Sequence, residues 1–441
     1  MGQTVRGTIM QTPPGRGLEV LDDVVVTVDD TGVIERVTPH AAHDGSVDVQ
    51  LPATAVMLPG LIDTHLHAPQ WPQLGSGLDL PLERWLFEVT FPLESRYGDP
   101  AFASDVWEHM VPTLLSHGTT TAVYYGSVHL EATTLLAEAC ARLGQRALVG
   151  RVGMDHPEGT PEWYRDDTAA EGVAASAASL DAIAALGSPL VQGIVTPRFI
   201  PACTDALLEG LAELAAATGS RVQTHCSESD WEHDYVLDRT GRTDTEALLE
   251  LGLLSRSTVL AHADLASTHD LSLMRNHGAG VAHCPLSNIY FANAVFPARR
   301  ALDAGVHVGL GSDVAGGAEA GLLRQCGHAV SASRSLEEGV DPDTPRERRG
   351  VAGSRIDIVE AFRMATIGGA DLLGMPLGLL EAGRRFDAVV VDEAANSASQ
   401  LRRWDHDDND RWFEKVVRLS TADDITHVWI DGALVAGRST R

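Results

Sequence analysis

The stretch Asp63-Thr64-His65-Leu66-His67 sets two imidazoles two residues apart. On an extended segment, residues i and i+2 project to the same side, so both rings can reach one ion. Further polar residues follow short apolar runs in the same way. They are Arg198 in Thr196-Pro197-Arg198-Phe199, His225 and Glu228 in Thr224-His225-Cys226-Ser227-Glu228, then His262, His283, and Asp313 in Gly311-Ser312-Asp313. Neutral imidazole and carboxylate suit zinc, and iron(II) accepts similar ligands. A lone His-x-His is weak evidence. Joined to a further His and an Asp, each ending an apolar run, it becomes a strong metal signal. Three histidines, one Asp and an open position leave room for a reactive water, which is the layout of a catalytic site rather than a closed structural one.

Metal coordination lowers the pKa of water from ~15.7 to ~7, making hydroxide available at neutral pH. Attack of that nucleophile on an aromatic amidine-like carbon requires proton traffic: a ring nitrogen gains a proton and the amine departs as ammonia. Glu228, three residues past His225, is placed to move those protons. Asp313 can take a proton from the water and His262 can hold the water in position. His283 suits a structural role as well as a catalytic one, and His117, His129, His156, His233 and His328 read as ordinary polar positions. The triplet His156-Pro157-Glu158 imitates the HxE of the zinc base deaminases, but its PCxxC partner is absent, which excludes that other fold.

Eight short apolar runs can be picked out, six of which lead into these residues: Leu61-Ile62, Thr120 to Tyr125, Ala147 to Val152, Val191 to Val195, Arg221 to Thr224, Thr258 to Ala261, Gly280 to Ala282, and His307 to Leu310. Ala/Leu/Glu-rich segments of helical periodicity, such as Leu207 to Ala217, lie between most of them. The fold class expected is α/β, a (β/α)8 TIM barrel with a small β-sandwich domain formed by both termini. Ionisable or ligating side chains then sit at the C-terminal ends of the strands, the face where barrel active sites lie. A doubly wound open sheet is the competing architecture, disfavoured because no GxGxxG turn follows the first strand. Both chain ends read as β structure. Val24 to Val28 and Val33 to Val37 flank the turn Asp29-Asp30-Thr31-Gly32, while Phe386 to Val391 and Ile425 to Ile430 form short strands near the other end. The expected division is residues 1–57 and 378–441 for the β domain and 58–377 for the barrel. The segment Pro69 to Asp99, with Trp71, Trp85 and Phe91, follows the first strand, and an aromatic loop there could close over a flat base. The acidic stretch Asp405 to Asp410 lacks the Gly and terminal Glu of a calcium loop and reads as a solvated surface loop.

At 441 residues and 44% hydrophobic content, the chain can hold a barrel plus an accessory domain. Lys+Arg 33 against Asp+Glu 61 gives a formal charge of −28, which repels phosphate backbones and anionic membranes, so neither nucleic acid nor membrane is expected as a partner. The five cysteines are dispersed and contain no CxxC pair, fitting a reducing compartment. With no signal-peptide pattern in the opening residues and no run of ~18 apolar residues, the expected location is the cytoplasm.

These residues resemble the amidohydrolase superfamily, whose barrel members carry HxH on strand one and Asp on strand eight. Within it, the chain is similar to the guanine deaminase family. The likeness lies in Pro59 to Gln70 and in Thr90-Phe91-Pro92-Leu93-Glu94-Ser95-Arg96. It continues through His117 to Ala122, Gly144-Gln145-Arg146-Ala147 and Val195 to Phe199, then through Ala282-His283-Cys284-Pro285 with Ser287-Asn288, and Gly309 to Gly317. The resemblance implies His65, His67, His225 and Asp313 as ligands of one Zn2+ per chain, or Fe2+ in its place. It implies Gln70, Arg198 and Phe199 as contacts to guanine, Glu228 as the proton shuttle, and a homodimer. The reaction implied is hydrolysis of guanine at C2 to xanthine and ammonia. The alternatives are the same machinery acting on 8-oxoguanine, a pterin or a triazine, or a non-catalytic scaffold on the same barrel.

Overall fold

Apolar runs too short for helices become parallel strands, and the capped segments between them become the helices that cover those strands. The computed structural model describes residues 2–292 and 294–437. Eight parallel strands carry the central unit: Leu61–His67, Thr119–Tyr125, Arg146–Gly150, Val191–Gly193, Val222–Cys226, Thr258–His262, Gly280–His283 and His307–Leu310. We number them one to eight in chain order. Strands one to four pair in sequence, as do five to eight. A parallel bridge between Val195 and Val222 links the two sets. At the other margin, the Thr64 hydroxyl donates to the Leu310 carbonyl at 2.8 Å, and the Asp313 amide to the His65 carbonyl at 3.0 Å. These contacts give a mixed α/β fold of the TIM-barrel type.

Strands one, two, three, five, six and seven are buried at every residue. Such burial is expected of parallel strands covered on both faces, and it explains why they read as continuous apolar runs rather than alternating ones. The covering helices follow from periodicity and caps. In Asp205–Thr218, Leu207, Leu208, Leu211 and Ala215 form the buried face. Thr204 accepts the Leu207 amide at its start, and Gly219, at φ +67°, ends it. Strand four stops at Gly193, short of the run read from sequence. It resumes as Thr196–Pro197, paired with Val152–Gly153. The interruption coincides with Arg151, whose buried guanidinium turns to meet Asp166.

Both termini enter one eight-stranded sheet. Ala55–Pro59 lies at its centre, antiparallel to Ala388–Asp392 on one side and parallel to Gln3–Gln11 on the other. The hairpin read from sequence is present as Glu19–Val28 paired with Ile34–Pro39. The segment Pro69 to Asp99 is in part helical, with short turns over Ala68–Gln73 and from Leu82 to Gly98 joined by a non-helical stretch. The acidic stretch differs from expectation. Asp408 caps the helix Asn409–Leu419, and Asp407 is buried in an ion pair with Lys415, so part of it is structural. Among the described residues, no helix is long and apolar enough to cross a membrane.

A buried ion pair joins the terminal sheet to the central unit. Arg146, opening strand three, donates to both carboxylate oxygens of Asp387 at 3.2 Å and to Asp431 at 2.6 Å. Removing one partner of a buried pair strands the other charge. Arg146→Ala should therefore cost about 3–5 kcal/mol, read as a lowered midpoint in urea unfolding. A loss below about 1 kcal/mol would show that this pair does not hold the two parts together.

Candidate active site

Strand ends deliver the polar residues, and hydrogen bonds between those ends set their spacing. Asp63, fully buried, accepts the Ser312 amide at 2.9 Å and the His65 amide at 3.3 Å. Burial raises its pKa to about 7. The His67 amide donates to the Val314 carbonyl at 2.7 Å. The His-x-His segment and the loop carrying Asp313 are therefore tied together on both sides of the carboxylate. His65 Nε2 lies 3.1 Å from Asp313 Oδ1, and His67 Nε2 lies 3.6 Å from the same oxygen. His225 Nε2 faces His67 Nε2 at 2.9 Å. Asp313, at φ 48°, and His262, at φ 71°, adopt left-handed backbone conformations unusual for residues with a side chain. Strain of this kind gathers where a side chain must be aimed.

Tautomers follow from the outer partners. His225 Nδ1 lies 2.6 Å from the Arg198 carbonyl, which can only accept, so Nδ1 carries the hydrogen and Nε2 keeps its lone pair. His262 Nδ1 meets Asn288 Oδ1 at 2.9 Å, while the Asn288 amide nitrogen donates to Asp264. The carboxylate thus sets the amide, and the amide sets the imidazole. His262 Nε2 is 3.7 Å from Glu228 and 3.9 Å from Asp313.

Burial pushes the pKa values of His65, His67 and His225 well below the ordinary imidazole range, and that of His262 below it as well. The rings are therefore neutral, the form that binds metal. Two observations test whether a cation fits. His65 Nε2 and His262 Nε2 are buried without a hydrogen-bond partner, and the lone pair of His225 Nε2 points into the site, 2.9 Å from His67 Nε2. Buried polar atoms left in this way call for a ligand. His65, His225 and His262, His65, His67 and Asp313, and Glu228, His262 and Asp313 each bring their ligand atoms within 4.8 Å of one another. The donor set fits a divalent cation of nitrogen and oxygen preference.

Most of the residues singled out from sequence line one cavity, while His65 and His262 lie beside it against Asp313. Gln70, Arg198, Phe199 and Glu228 line it beside His67, His225 and Asp313. Burial, then Asp313, raises the Glu228 pKa well above the carboxylate range. Leu82, Trp85 and Leu86 form the apolar wall. Of the three aromatic residues singled out in Pro69 to Asp99, Trp85 lines the cavity. Phe91 lies instead under the Arg198 guanidinium, 5.0 Å from its ring, and the Trp71 indole donates to His109 at 2.9 Å, on the outer side of its turn. His283 stands aside, packed on Phe296 with ring centroids 5.1 Å apart, its pKa lowered to about 3 by burial.

A model of the amidohydrolase family matches residues 56–435. The chain belongs to the amidohydrolase family. This amidohydrolase is similar to the guanine deaminase of Dictyostelium discoideum, at 31% identity over 97% of this chain and 96% of the relative. It is also similar to that of Mus musculus, at 32% identity over 98% of this chain and 96% of the relative. Among solved structures, guanine deaminase from C. acetobutylicum with guanine bound in its active site superposes with a TM-score of 0.87. The identity is 26%, over 98% of this chain and 100% of that one.

Sequence reading of this amidohydrolase passed over Glu94, Tyr164, Asn288 and Asp264 as functional residues. Their contacts are long-range. Only the motif stretches around Glu94 and Asn288 offered a signal, and they did not say what those side chains touch. Asn288→Ala should remove the acceptor that fixes the His262 tautomer and take from Asp264 its side-chain donor, leaving only the Phe296 backbone bond, at a cost of roughly 1–3 kcal/mol. In 15N-histidine NMR, wild type should show a slowly exchanging His262 Nδ1–H that the variant lacks. An unchanged resonance would mean that Asn288 does not set this ring.

Proposed function

We propose that this amidohydrolase is a single-metal guanine deaminase that converts guanine and water to xanthine and ammonia. The observation that carries this reading is one buried cavity in which a metal-competent donor set faces a wall able to donate hydrogen bonds to a purine carbonyl. The relatives named guanine deaminase and the guanine-bound structure support the choice of base over other amino-heterocycles.

In this proposal His65, His67, His225 and Asp313 hold one Zn2+. When bound, the cation supplies a water acidic enough to act as nucleophile at neutral pH. Arg198 donates to guanine O6, Gln70 pairs with the ring edge, and Phe199 lies against the purine face. His262 Nε2, with its lone pair free, orients the attacking water, and Asp313 takes a proton from it. As the oxygen bonds to C2, the C2–N3 π pair moves to N3, which takes the proton that burial keeps on the Glu228 carboxyl. Glu228, now a carboxylate, takes the remaining proton of the oxygen on C2 and passes it to the exocyclic nitrogen, and the proton held by Asp313 returns to Glu228 to restore both groups. The C2–N bond breaks, ammonia departs, and the oxygen stays as the C2 carbonyl of xanthine.

The same reading takes the central unit as a closed (β/α)8 barrel over residues 58–377, with residues 1–57 and 378–441 as a β-sandwich domain. The terminal sheet's own apolar core, including Val26, Met57, Val390 and Trp429, supports this division. The guanine deaminase likeness supports a homodimer, and five buried free cysteines suit a reducing cytoplasm.

Purified protein should release ammonia from guanine as the purine spectrum shifts to that of xanthine. Glu228→Gln should lower kcat by about 10²- to 10⁴-fold while still binding guanine. Near-normal turnover by Glu228→Gln would remove the shuttle role, and an unchanged guanine spectrum with metal-loaded wild type would refute the function.

A further inference from the structure

Arg198 does not meet the cavity as a free cation. Its Nη1 donates to Glu94 Oε2 at 2.6 Å and its Nη2 to Glu94 Oε1 at 3.1 Å, a two-pronged pair that uses both carboxylate oxygens. Glu94 is 0% exposed and Arg198 2%. Two further donors complete the carboxylate: Gln70 Nε2 at 3.1 Å on Oε1 and the Tyr164 hydroxyl at 2.9 Å on Oε2. Burial works against the Arg198 charge, yet Glu94 outweighs it and holds the guanidinium pKa above its usual value.

The same carboxylate sets the Gln70 amide. With Nε2 turned to Glu94, Oε1 accepts the Ala315 amide at 3.2 Å. The reverse orientation would put oxygen against carboxylate and nitrogen against a backbone N–H, so only one is allowed. One amide hydrogen and one oxygen lone pair remain for a ligand.

The geometry points to Glu94 as a positioning and specificity-determining residue that cancels the Arg198 charge and makes the cavity wall a receptor for an uncharged keto-purine rather than an anion. Arg198 without Glu94 would be a buried, unpaired guanidinium facing the cavity, which is the usual arrangement for capturing carboxylate or phosphate. With Glu94 in place the wall keeps directional N–H donors and no net charge. This inference rests on the proposed roles of Arg198 and Gln70 in base binding. Glu94 itself lies behind both residues and acts through them.

The test compares two purine ligands at neutral pH by calorimetry on the purified protein: hypoxanthine, which is uncharged, and urate, a monoanion. Wild type should favour hypoxanthine. Glu94→Gln should move the ratio of dissociation constants toward urate by about tenfold or more, since it leaves one charge uncompensated in a dry site. Arg198→Gln should move the ratio the other way, and the double variant should return it close to wild type. If Glu94→Gln fails to fold, the opposite shift in Arg198→Gln and its reversal in the double variant decide the matter. A merely structural role for Glu94 would weaken both ligands alike. Protein that turns over guanine while the ratio stays put in Glu94→Gln and Arg198→Gln overturns this inference alone. Wild type that neither binds hypoxanthine nor turns over guanine overturns the base-binding reading, and this inference with it.

Discussion

Crowding neutral imidazoles around one carboxylate in a buried site is the constraint on which the rest of the structure depends. Buried ring nitrogens without partners, at His65 Nε2 and His262 Nε2, are unfavourable unless something draws on their lone pairs. The fold tolerates the arrangement because two of the rings and the loop carrying the carboxylate are fixed from behind. His225 is held by a backbone carbonyl, His262 by Asn288 and Asp264, and the loop of Asp313 by amide bonds to strand one. Parallel strands end at one rim, so residues far apart in sequence arrive there without long side chains or mobile loops. The left-handed backbone at His262 and Asp313 is the local cost of aiming them.

The wall opposite is organised around a second buried carboxylate. Glu94 comes from the helical segment after strand one, Arg198 from beyond strand four, and Tyr164 from the connection between strands three and four. Their meeting joins the covering segment to the rim and freezes the donors that face the cavity. In the proposed function, one carboxylate among neutral imidazoles serves the cation side, and a neutralised pair serves the base side. Keeping these separate lets a single small cavity combine metal chemistry with recognition of an uncharged ring.

Much of this was legible in sequence because it rests on short-range rules. His-x-His on an extended segment, apolar runs ending in His or Asp, and Thr-capped helices closed by glycine are local patterns. Strands two, three, five, six, seven and eight lie within about one or two residues of where periodicity put them, the scatter usual at element ends. What stayed hidden depends on tertiary contact. The break in strand four lies opposite Arg151, which is paired with Asp166, and part of the acidic stretch near residue 407 is folded against Lys415. Trp71 sits one residue from Gln70 yet is absent from the cavity lining, because both lie in one 3-10 helix, whose successive side chains are turned by about 120° from one another. Glu94 was visible as a motif letter, but its partner Arg198 is 104 residues away, so spacing carried no hint of its task.

The most direct test of the central claim is a metal titration. Protein stripped by a chelator and dialysed should be folded but inactive on guanine. Added Zn2+ should restore ammonia release linearly, with a sharp end point at one equivalent per chain. Full turnover by the stripped protein, or an end point requiring two ions, would contradict the account.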